Sequence, residues 1–161
     1  MTEREFFQTR RKAEKDTFLR VIRAMPDGKL DYKPHERSLS AGELLTTLVF
    51  EHAACGELAG TGRGEWKPAP IASIEEAASA FEKHWDELDR KVADLDDAGW
   101  NGKGQFFAGG KMVMEMPIGE FLWFILFDAI HHRGQLSTYI RPMGGQVPAI
   151  YGPSADDNQF R

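Results

Sequence analysis

The sequence contains little of what marks secreted or membrane-bound proteins. Its 161 residues include a single cysteine, Cys55, which excludes an internal disulfide and is typical of proteins in a reducing cytosol. No apolar run approaches the roughly 20 residues of a membrane-spanning helix, and the longest one covers residues 121–127. The first residues, MTEREFF, lack the apolar segment of a signal peptide. We therefore expect a cytoplasmic protein that does not enter a membrane.

Basic charge is also scarce. The chain has 20 lysines and arginines against 25 acidic residues, which gives a net charge of −5. Proteins that bind nucleic acid directly need a basic surface, so we do not expect a nucleic-acid partner. The remaining composition, 42% hydrophobic and 28% charged, is typical of globular proteins. At this length, residues 1–161 are expected to form a single domain.

Four segments with apolar residues at helical spacing predict an all-α protein built as a four-helix bundle. The first segment, residues 2–25, carries an apolar stripe that includes Phe7 and Phe18. Its charged residues, among them Arg10 and Arg11, are expected to face the solvent.

Local signals mark the ends of the other three helices. Ser40 and Ser73 each precede a glutamate by three residues, which predicts capping boxes at the starts of the second and third helices. Pro117 suits the first position of the fourth helix, and Pro142 is expected to end that helix.

Two stretches lack helical spacing. Residues 60–70, GTGRGEWKPAP, are rich in glycine and proline and are expected to form a loop. In residues 105–116, QFFAGGKMVMEM, two β-prone runs flank Gly109-Gly110, which predicts a small two-stranded hairpin before the last helix. Because a hairpin of this size is marginally stable alone, it should pack on the bundle or on a partner.

The last helix combines a very apolar sequence with polar groups on its inward face. At about 100° per residue, one stripe contains Phe121, Ile125, Asp128, His132, Gln135, Leu136 and Tyr139. Burying polar groups without partners costs several kcal/mol. Each of these groups must therefore be paired, and a metal ion is one way to pair them.

Asp128 and His132 are the strongest candidates for metal ligands. They are four residues apart, so both side chains lie on one face, as the two histidines of H-E-x-x-H zinc helices do. A third ligand would have to come from another helix. The alternative is a buried hydrogen bond between the two side chains that only stabilises helix packing. His131 lies about 100° around the helix from His132, so the two imidazoles are not expected to bind the same ion.

The C-terminal stretch FDAIHHRGQLSTYIRPMGGQVPAIYGPSADD resembles the signature of the DinB-like (DinB/YfiT) superfamily. The tracts HHRGQ, RPMGG and VPAIYG carry this resemblance. It implies a four-helix bundle with up-down-down-up helix order, in which many members hold a metal with three histidines. It also implies that Asp128 and His132 face the metal, although three-histidine members have a histidine in place of Asp128. The chain thus looks like a divergent member without the usual three-histidine set.

The second helix would supply the third ligand. The resemblance places the usual histidine at Thr47, which departs from the pattern. Glu51, one turn later on the same face, is one replacement. His52 is the alternative, and it lies on the other flank of the helix's inward apolar stripe of Leu44, Leu48, Cys55 and Leu58. With Asp128 and His132, either one is expected to bind one divalent transition metal, which is Zn, Ni, Mn or Fe. Substrate contacts or supports for the ligands are expected at Thr47, His131, Gln135 and Tyr139.

The function that the resemblance implies is enzymatic. The chain would be a metal-dependent hydrolase, or a transferase that uses a low-molecular-weight thiol, acting on a small-molecule substrate as a homodimer. The apolar hairpin and the last helix also favour a dimer, because they expose more apolar surface than a small bundle buries. The competing interpretation is a metal-free small-molecule-binding or stress-related dimeric module without catalysis. Thr47 and Asp128 at the usual ligand positions favour that alternative.

Overall fold

The computed structural model describes residues 1–157, which form a helical bundle with a small sheet at its side. Four long helices build the bundle, and the described part of the chain adds one short helix and three strands. In chain order the elements are α1 (Glu3–Ala24), α2 (Ala41–Thr61), β1 (Arg63–Trp66), α3 (Ile74–Ala93), α4 (Asp97–Trp100), β2 (Lys103–Ala108), β3 (Lys111–Pro117) and α5 (Ile118–Ile140). The predicted four-helix bundle is confirmed, and α5 is its fourth long helix.

The long helices pack in a ring rather than in chain order. Helix α1 contacts α3 and α5, and α2 contacts the same two helices, so α1 and α2 are diagonal neighbours. This is the up-down-down-up arrangement expected above. The core between them is apolar and fully buried, with contributions from Phe18, Leu48, Phe81, Phe121 and Leu136. None of the helices in residues 1–157 combines the length and the apolar character that crossing a membrane requires.

The predicted helix starts are confirmed with small differences. At α2, the Ser40 hydroxyl accepts from the Glu43 amide, and the Glu43 carboxylate accepts from the Ser40 amide. At α3, the Ser73 hydroxyl accepts from the Glu76 amide. The Glu76 carboxylate, however, accepts from the amide of Ala72, so this capping box is displaced by one residue. Pro117 is the N-cap of α5 and not its first helical residue.

The charged face of α1 was expected to be solvent-exposed, and this prediction is wrong for Arg11. Its side chain is 2% exposed, and its Nε donates to Asp89 on α3 at 2.6 Å. The guanidinium also lies 3.8 Å from the centre of the Trp85 ring. Because α1 packs against two helices, it buries a wider face than its apolar stripe alone covers, and the paired arginine fills the extra width.

The sheet contains one strand more than the sequence predicts. Strands β2 and β3 form the expected antiparallel hairpin, and Gly109 and Gly110 both have positive φ in its turn, as a tight hairpin requires. Strand β1, which was expected to be loop, pairs in parallel with β2. Only Gly62, with φ +75°, separates α2 from β1. A strand of four residues is too short to give a clear alternating pattern. Its partner β2 is also far away in sequence, so local sequence does not predict the pairing.

The sheet connects the two helices that carry the candidate ligands. Strand β1 follows α2 almost directly, and β3 leads without a loop into α5. The sheet packs on the bundle through Phe106, whose ring centre lies 5.1 Å from that of Phe121 on α5. The ends of α2 and α5 are therefore held together by hydrogen bonds of the sheet as well as by side-chain packing.

Candidate metal centre

Three candidate ligands converge between α2 and α5. Glu51, Asp128 and His132 each offer a ligand atom, and these atoms all lie within 4.8 Å of one another. His132 Nδ1 is 3.8 Å from a Glu51 carboxylate oxygen and 3.6 Å from an Asp128 carboxylate oxygen. Both distances exceed hydrogen-bond length, so the direct Asp–His hydrogen bond considered above is not formed. The three groups face one another across a gap.

Two of these buried atoms lack hydrogen-bond partners. Glu51 Oε1 and His132 Nδ1 are buried and have none within residues 1–157. Leaving a buried polar atom unsatisfied costs about 1–3 kcal/mol, so such atoms call for an explanation. Glu51 Oε1 lies 3.9 Å from His52 Nδ1, and Oε2 is the oxygen nearer to His132. A divalent cation bound between the carboxylates and the imidazole would give His132 Nδ1 a partner and would compensate the charge of the buried Glu51 carboxylate. The donor set therefore fits the metal that the sequence predicts.

The protonation of Glu51 and His132 is linked to any binding of a metal between them. Burial raises the pKa of Glu51 to about 7. The Glu51 carboxylate in turn raises the pKa of His132. The pair therefore retains a proton near neutral pH, and a divalent cation would compete with that proton for the same atoms.

The group is open on one side. The Glu51 side chain is 5% exposed and that of His132 14%, whereas the Asp128 side chain is 39% exposed. Glu51 and His132 thus form the inner wall, and Asp128 lies at the solvent edge. The group is therefore in contact with solvent through Asp128.

His52, the alternative ligand on α2, lies outside this group. It is fully buried, and its Nδ1 donates to the Leu48 carbonyl at 2.8 Å. Its ring stacks on Trp85 with a centre-to-centre distance of 4.9 Å. Burial lowers the pKa of His52 to about 3, so the imidazole is neutral. The step of about 100° between adjacent helical residues directs Glu51 toward α5 and His52 toward α3.

The four residues considered as substrate contacts or supports remain peripheral in this structure. The Thr47 hydroxyl donates to the Glu43 carbonyl at 3.0 Å, and the Tyr139 hydroxyl donates to the Leu39 carbonyl at 3.0 Å. His131 and Gln135 face the solvent. The rings of His131 and His132 are tilted, with centres 5.7 Å apart.

A buried polar network beside the candidate centre was not predicted. Arg133, which follows His132, is 2% exposed and donates from Nη1 to Glu14 at 2.7 Å and to the Thr17 hydroxyl. Its Nη2 donates to the Tyr151 hydroxyl at 2.6 Å, and that hydroxyl donates to Glu14 at 2.8 Å. We call Glu14, Thr17, Arg133 and Tyr151 the Arg133 lock. It connects α1, α5 and the C-terminal segment.

The sequence did contain a signal for this network. The apolar stripe of α1 is interrupted between Phe7 and Phe18. Arg11 and Glu14 occupy the positions at spacings of three and four that complete the stripe, and both are buried. An interrupted stripe filled by charges indicates buried pairs, but it does not identify their partners.

Comparison with known proteins agrees with this architecture. The chain is 42% identical over 43 residues to the uncharacterized protein YrdA of Bacillus subtilis, an alignment that spans 27% of this chain and 26% of YrdA. A DinB-like protein from Bacillus cereus has the same fold, with a TM-score of 0.72 and 23% identity over 91% of this chain and 97% of the other.

A mycothiol-dependent maleylpyruvate isomerase is a more distant structural neighbour. Its TM-score is 0.58 at 13% identity, over 90% of this chain and 62% of the isomerase. At such identities the two structures show the fold alone. The sequence model of the DinB family matches residues 1–159, and the resemblance noted in the C-terminal stretch is thereby confirmed. This chain belongs to the DinB family.

Proposed function

We propose that this protein is a cytoplasmic, metal-dependent enzyme that acts on a small molecule. Glu51, Asp128 and His132 would hold one divalent transition metal. The observation that carries the proposal is the convergence of Glu51, Asp128 and His132, whose ligand atoms lie within 4.8 Å of one another. His132 Nδ1 and one oxygen of Glu51 are also buried without a hydrogen-bond partner among residues 1–157. Because the net charge is −5, we do not propose a nucleic-acid partner.

The proposed reaction is a transfer that uses a low-molecular-weight thiol, with hydrolysis as the alternative. A bound ion would supply Lewis-acid chemistry toward a thiol or carbonyl substrate. Glu51 and His132 would hold it from the buried side, and Asp128 would hold it at the edge where substrate approaches. Support for the thiol comes from the mycothiol-dependent isomerase with a similar fold, which is an argument by analogy.

Elemental analysis of protein purified without a metal-affinity column tests the proposal most directly. About one equivalent of a transition metal per chain is expected. The metal-loaded protein would then be assayed with thiol and ester substrates. Absence of metal, together with no response to added Mn²⁺ or Zn²⁺, would instead support the metal-free small-molecule-binding module.

The ligands Glu51, Asp128 and His132 predict a metal preference that differs from the preference of a three-histidine site. Two carboxylates and one imidazole favour harder ions such as Mn²⁺, whereas imidazoles favour Zn²⁺. Replacing Asp128 by histidine is therefore expected to shift the preference from Mn²⁺ toward Zn²⁺ by on the order of tenfold, or about 1.4 kcal/mol. Calorimetric titration of both variants with both ions measures this ratio.

The matched control for this experiment is Asp128→Asn. That change removes the negative charge without adding an imidazole, so it should weaken the binding of both ions. An Asp128→His variant with an unchanged ratio of the two affinities would show that Asp128 is not a ligand.

We also propose that the protein is a homodimer whose interface includes the outer faces of α1 and α5. Phe6 on α1 is 45% exposed, and Phe124 and Phe127 on α5 are 49% and 62% exposed. A cavity of about 560 Å³ on this side is lined by Phe6, Phe127 and Tyr151 among others. Exposed aromatic surface of this kind is typical of protein interfaces.

Substituting Phe127 by glutamate should convert the dimer to a monomer. Charges placed at the centre of an apolar interface cost several kcal/mol when buried. Light scattering should give about 36 kDa for the wild type, twice the 18.1 kDa of one chain, and about 18 kDa for the variant. Val113→Glu tests the hairpin, the other apolar surface, where Val113 is 58% exposed; a dimer in that variant would confine the interface to α1 and α5. A wild-type mass of 18 kDa would contradict the proposed interface.

A further inference from the structure

The Arg133 lock and the candidate metal centre share one turn of α5. His132 directs its side chain toward Glu51 on α2, and Arg133 directs its own toward Glu14 on α1. The guanidinium carbon of Arg133 also lies 4.5 Å from the centre of the Phe18 ring and 4.9 Å from that of Tyr151. Adjacent residues of one helix are thus fixed to two different helices.

This arrangement determines the rotation of α5 about its axis. Adjacent helical residues are about 100° apart. If the lock holds Arg133 toward α1, then Asp128 and His132 can only point toward α2. Without the lock, α5 could rotate slightly within a largely apolar groove, and the ligand atoms would lose their common point of convergence.

The lock also neutralises a charge beside the centre. Arg133 is a buried cation in the residue next to His132, and Glu14 supplies the compensating anion. Removal of the Glu14 charge would leave an uncompensated buried cation close to a site that binds cations. Loss of the lock should therefore weaken metal binding through charge as well as through geometry.

The C-terminal segment takes part through Tyr151. The Tyr151 ring is largely exposed, but its hydroxyl reaches inward to both Arg133 and Glu14. A second attachment of the segment lies farther out, where Arg141 Nε donates to Asp156 at 2.9 Å. Each attachment can be removed separately.

We propose that the Arg133 lock positions the metal-binding turn of α5 and thereby couples the C-terminal segment to the metal centre. The inference rests on the proposed metal-dependent function. Glu14, Arg133 and Tyr151 are positioning residues in this proposal, since they act through Asp128 and His132. Coupling between two sites is reciprocal, so metal binding should strengthen the lock as much as the lock strengthens metal binding.

The test uses Tyr151→Phe in the full chain, because the ring stays and only the hydroxyl is lost. Titration with Mn²⁺ is expected to show affinity weakened by about fivefold or more, the usual lower range of such coupling. Glu14→Gln should weaken it further. By reciprocity, Tyr151→Phe should also reduce unfolding stability more at saturating Mn²⁺ than in the presence of a chelator.

Arg141→Ala is the matched control, since it releases the outer attachment of the same segment and should leave the affinity for Mn²⁺ unchanged. In the metal-free protein, Tyr151→Phe should shift the imidazole NMR signal of His132 and leave those of His35 and His84 in place. If the wild-type protein binds no Mn²⁺, the proposed metal-dependent function is wrong. The NMR signal of His132 would still show whether the Arg133 lock positions this turn of α5. Unchanged affinity and an unchanged His132 signal in both lock variants would overturn the inference.

Discussion

Replacing His132 by alanine is expected to abolish the thermal stabilisation that a bound transition metal gives to the protein. A metal present at 100 times its dissociation constant stabilises the folded state by about 2.7 kcal/mol. For a chain of this size that corresponds to a rise in Tm of about 5–10 °C. Thermal melts of both proteins with and without Mn²⁺ or Zn²⁺ measure the difference, and only the wild type should respond.

The other histidines provide the controls for this experiment. His131→Ala should keep most of the metal response, because His131 faces the solvent. His52→Ala should lower the baseline Tm, because a fully buried ring stacked on Trp85 is removed, yet the response to metal should persist. Equal responses of the wild type and His132→Ala to metal would exclude His132 as a ligand.

Replacing Glu14 by alanine is expected to cause the largest loss of stability among simple polar changes. Removing one partner of a buried ion pair leaves the other charge uncompensated and typically costs 3–5 kcal/mol. Here both partners are buried, with side chains 5% and 2% exposed for Glu14 and Arg133. Urea denaturation at pH 7 measures the free energy of unfolding of both proteins.

Asp86→Ala is a suitable comparison. In the wild type Asp86 forms an ion pair with Lys15, but its side chain is 54% exposed. Exposed pairs contribute about 0–1 kcal/mol, so the two losses should differ clearly. A Glu14→Ala variant within 1 kcal/mol of the wild type would show that the Arg133 lock does not stabilise the fold.

The same substitution should change how stability depends on pH. Burial opposes ionisation of Glu14, but hydrogen bonds from Arg133 and Tyr151 outweigh it and hold the pKa of Glu14 below its ordinary value of 4.5. A group with a lowered folded-state pKa contributes stability above its unfolded pKa and loses it as the pH falls through the folded value. The wild type should therefore exceed Glu14→Ala in free energy of unfolding by a constant amount near neutral pH. This excess should shrink in acid, below about pH 4.5.

The sequence predicted the parts of the centre that follow from helical geometry. Asp128 and His132 share a face because four residues make about one turn. The sequence left Glu51 and His52 as alternatives, because both residues flank the inward stripe of α2. In the structure Glu51 lies beside His132 on α5, whereas the His52 ring stacks on Trp85. The family resemblance identified the helices that meet, although it does not specify the side chains of a divergent member.

The features that the sequence did not predict depend on contacts between distant segments. Strand β1 has a short and ordinary sequence, and it is a strand only because β2 lies beside it. Arg11 and Glu14 appear as surface charges in a helical pattern, and their burial depends on Asp89 and Arg133 in other helices. The spacing of apolar residues describes one helix at a time, so it cannot predict which residues of different helices pair.

The sheet that joins α2 to α5 makes the chain suitable for division into two fragments. The turn at Gly109-Gly110 is exposed, and exposed turns tolerate cleavage and insertion well. A break there would leave β1, β2 and Glu51 in the first fragment, and β3, Asp128 and His132 in the second. The two fragments could reassemble through the β2–β3 ladder and the helix core. Metal affinity would then report reassembly, because neither fragment alone carries the complete set of candidate ligands.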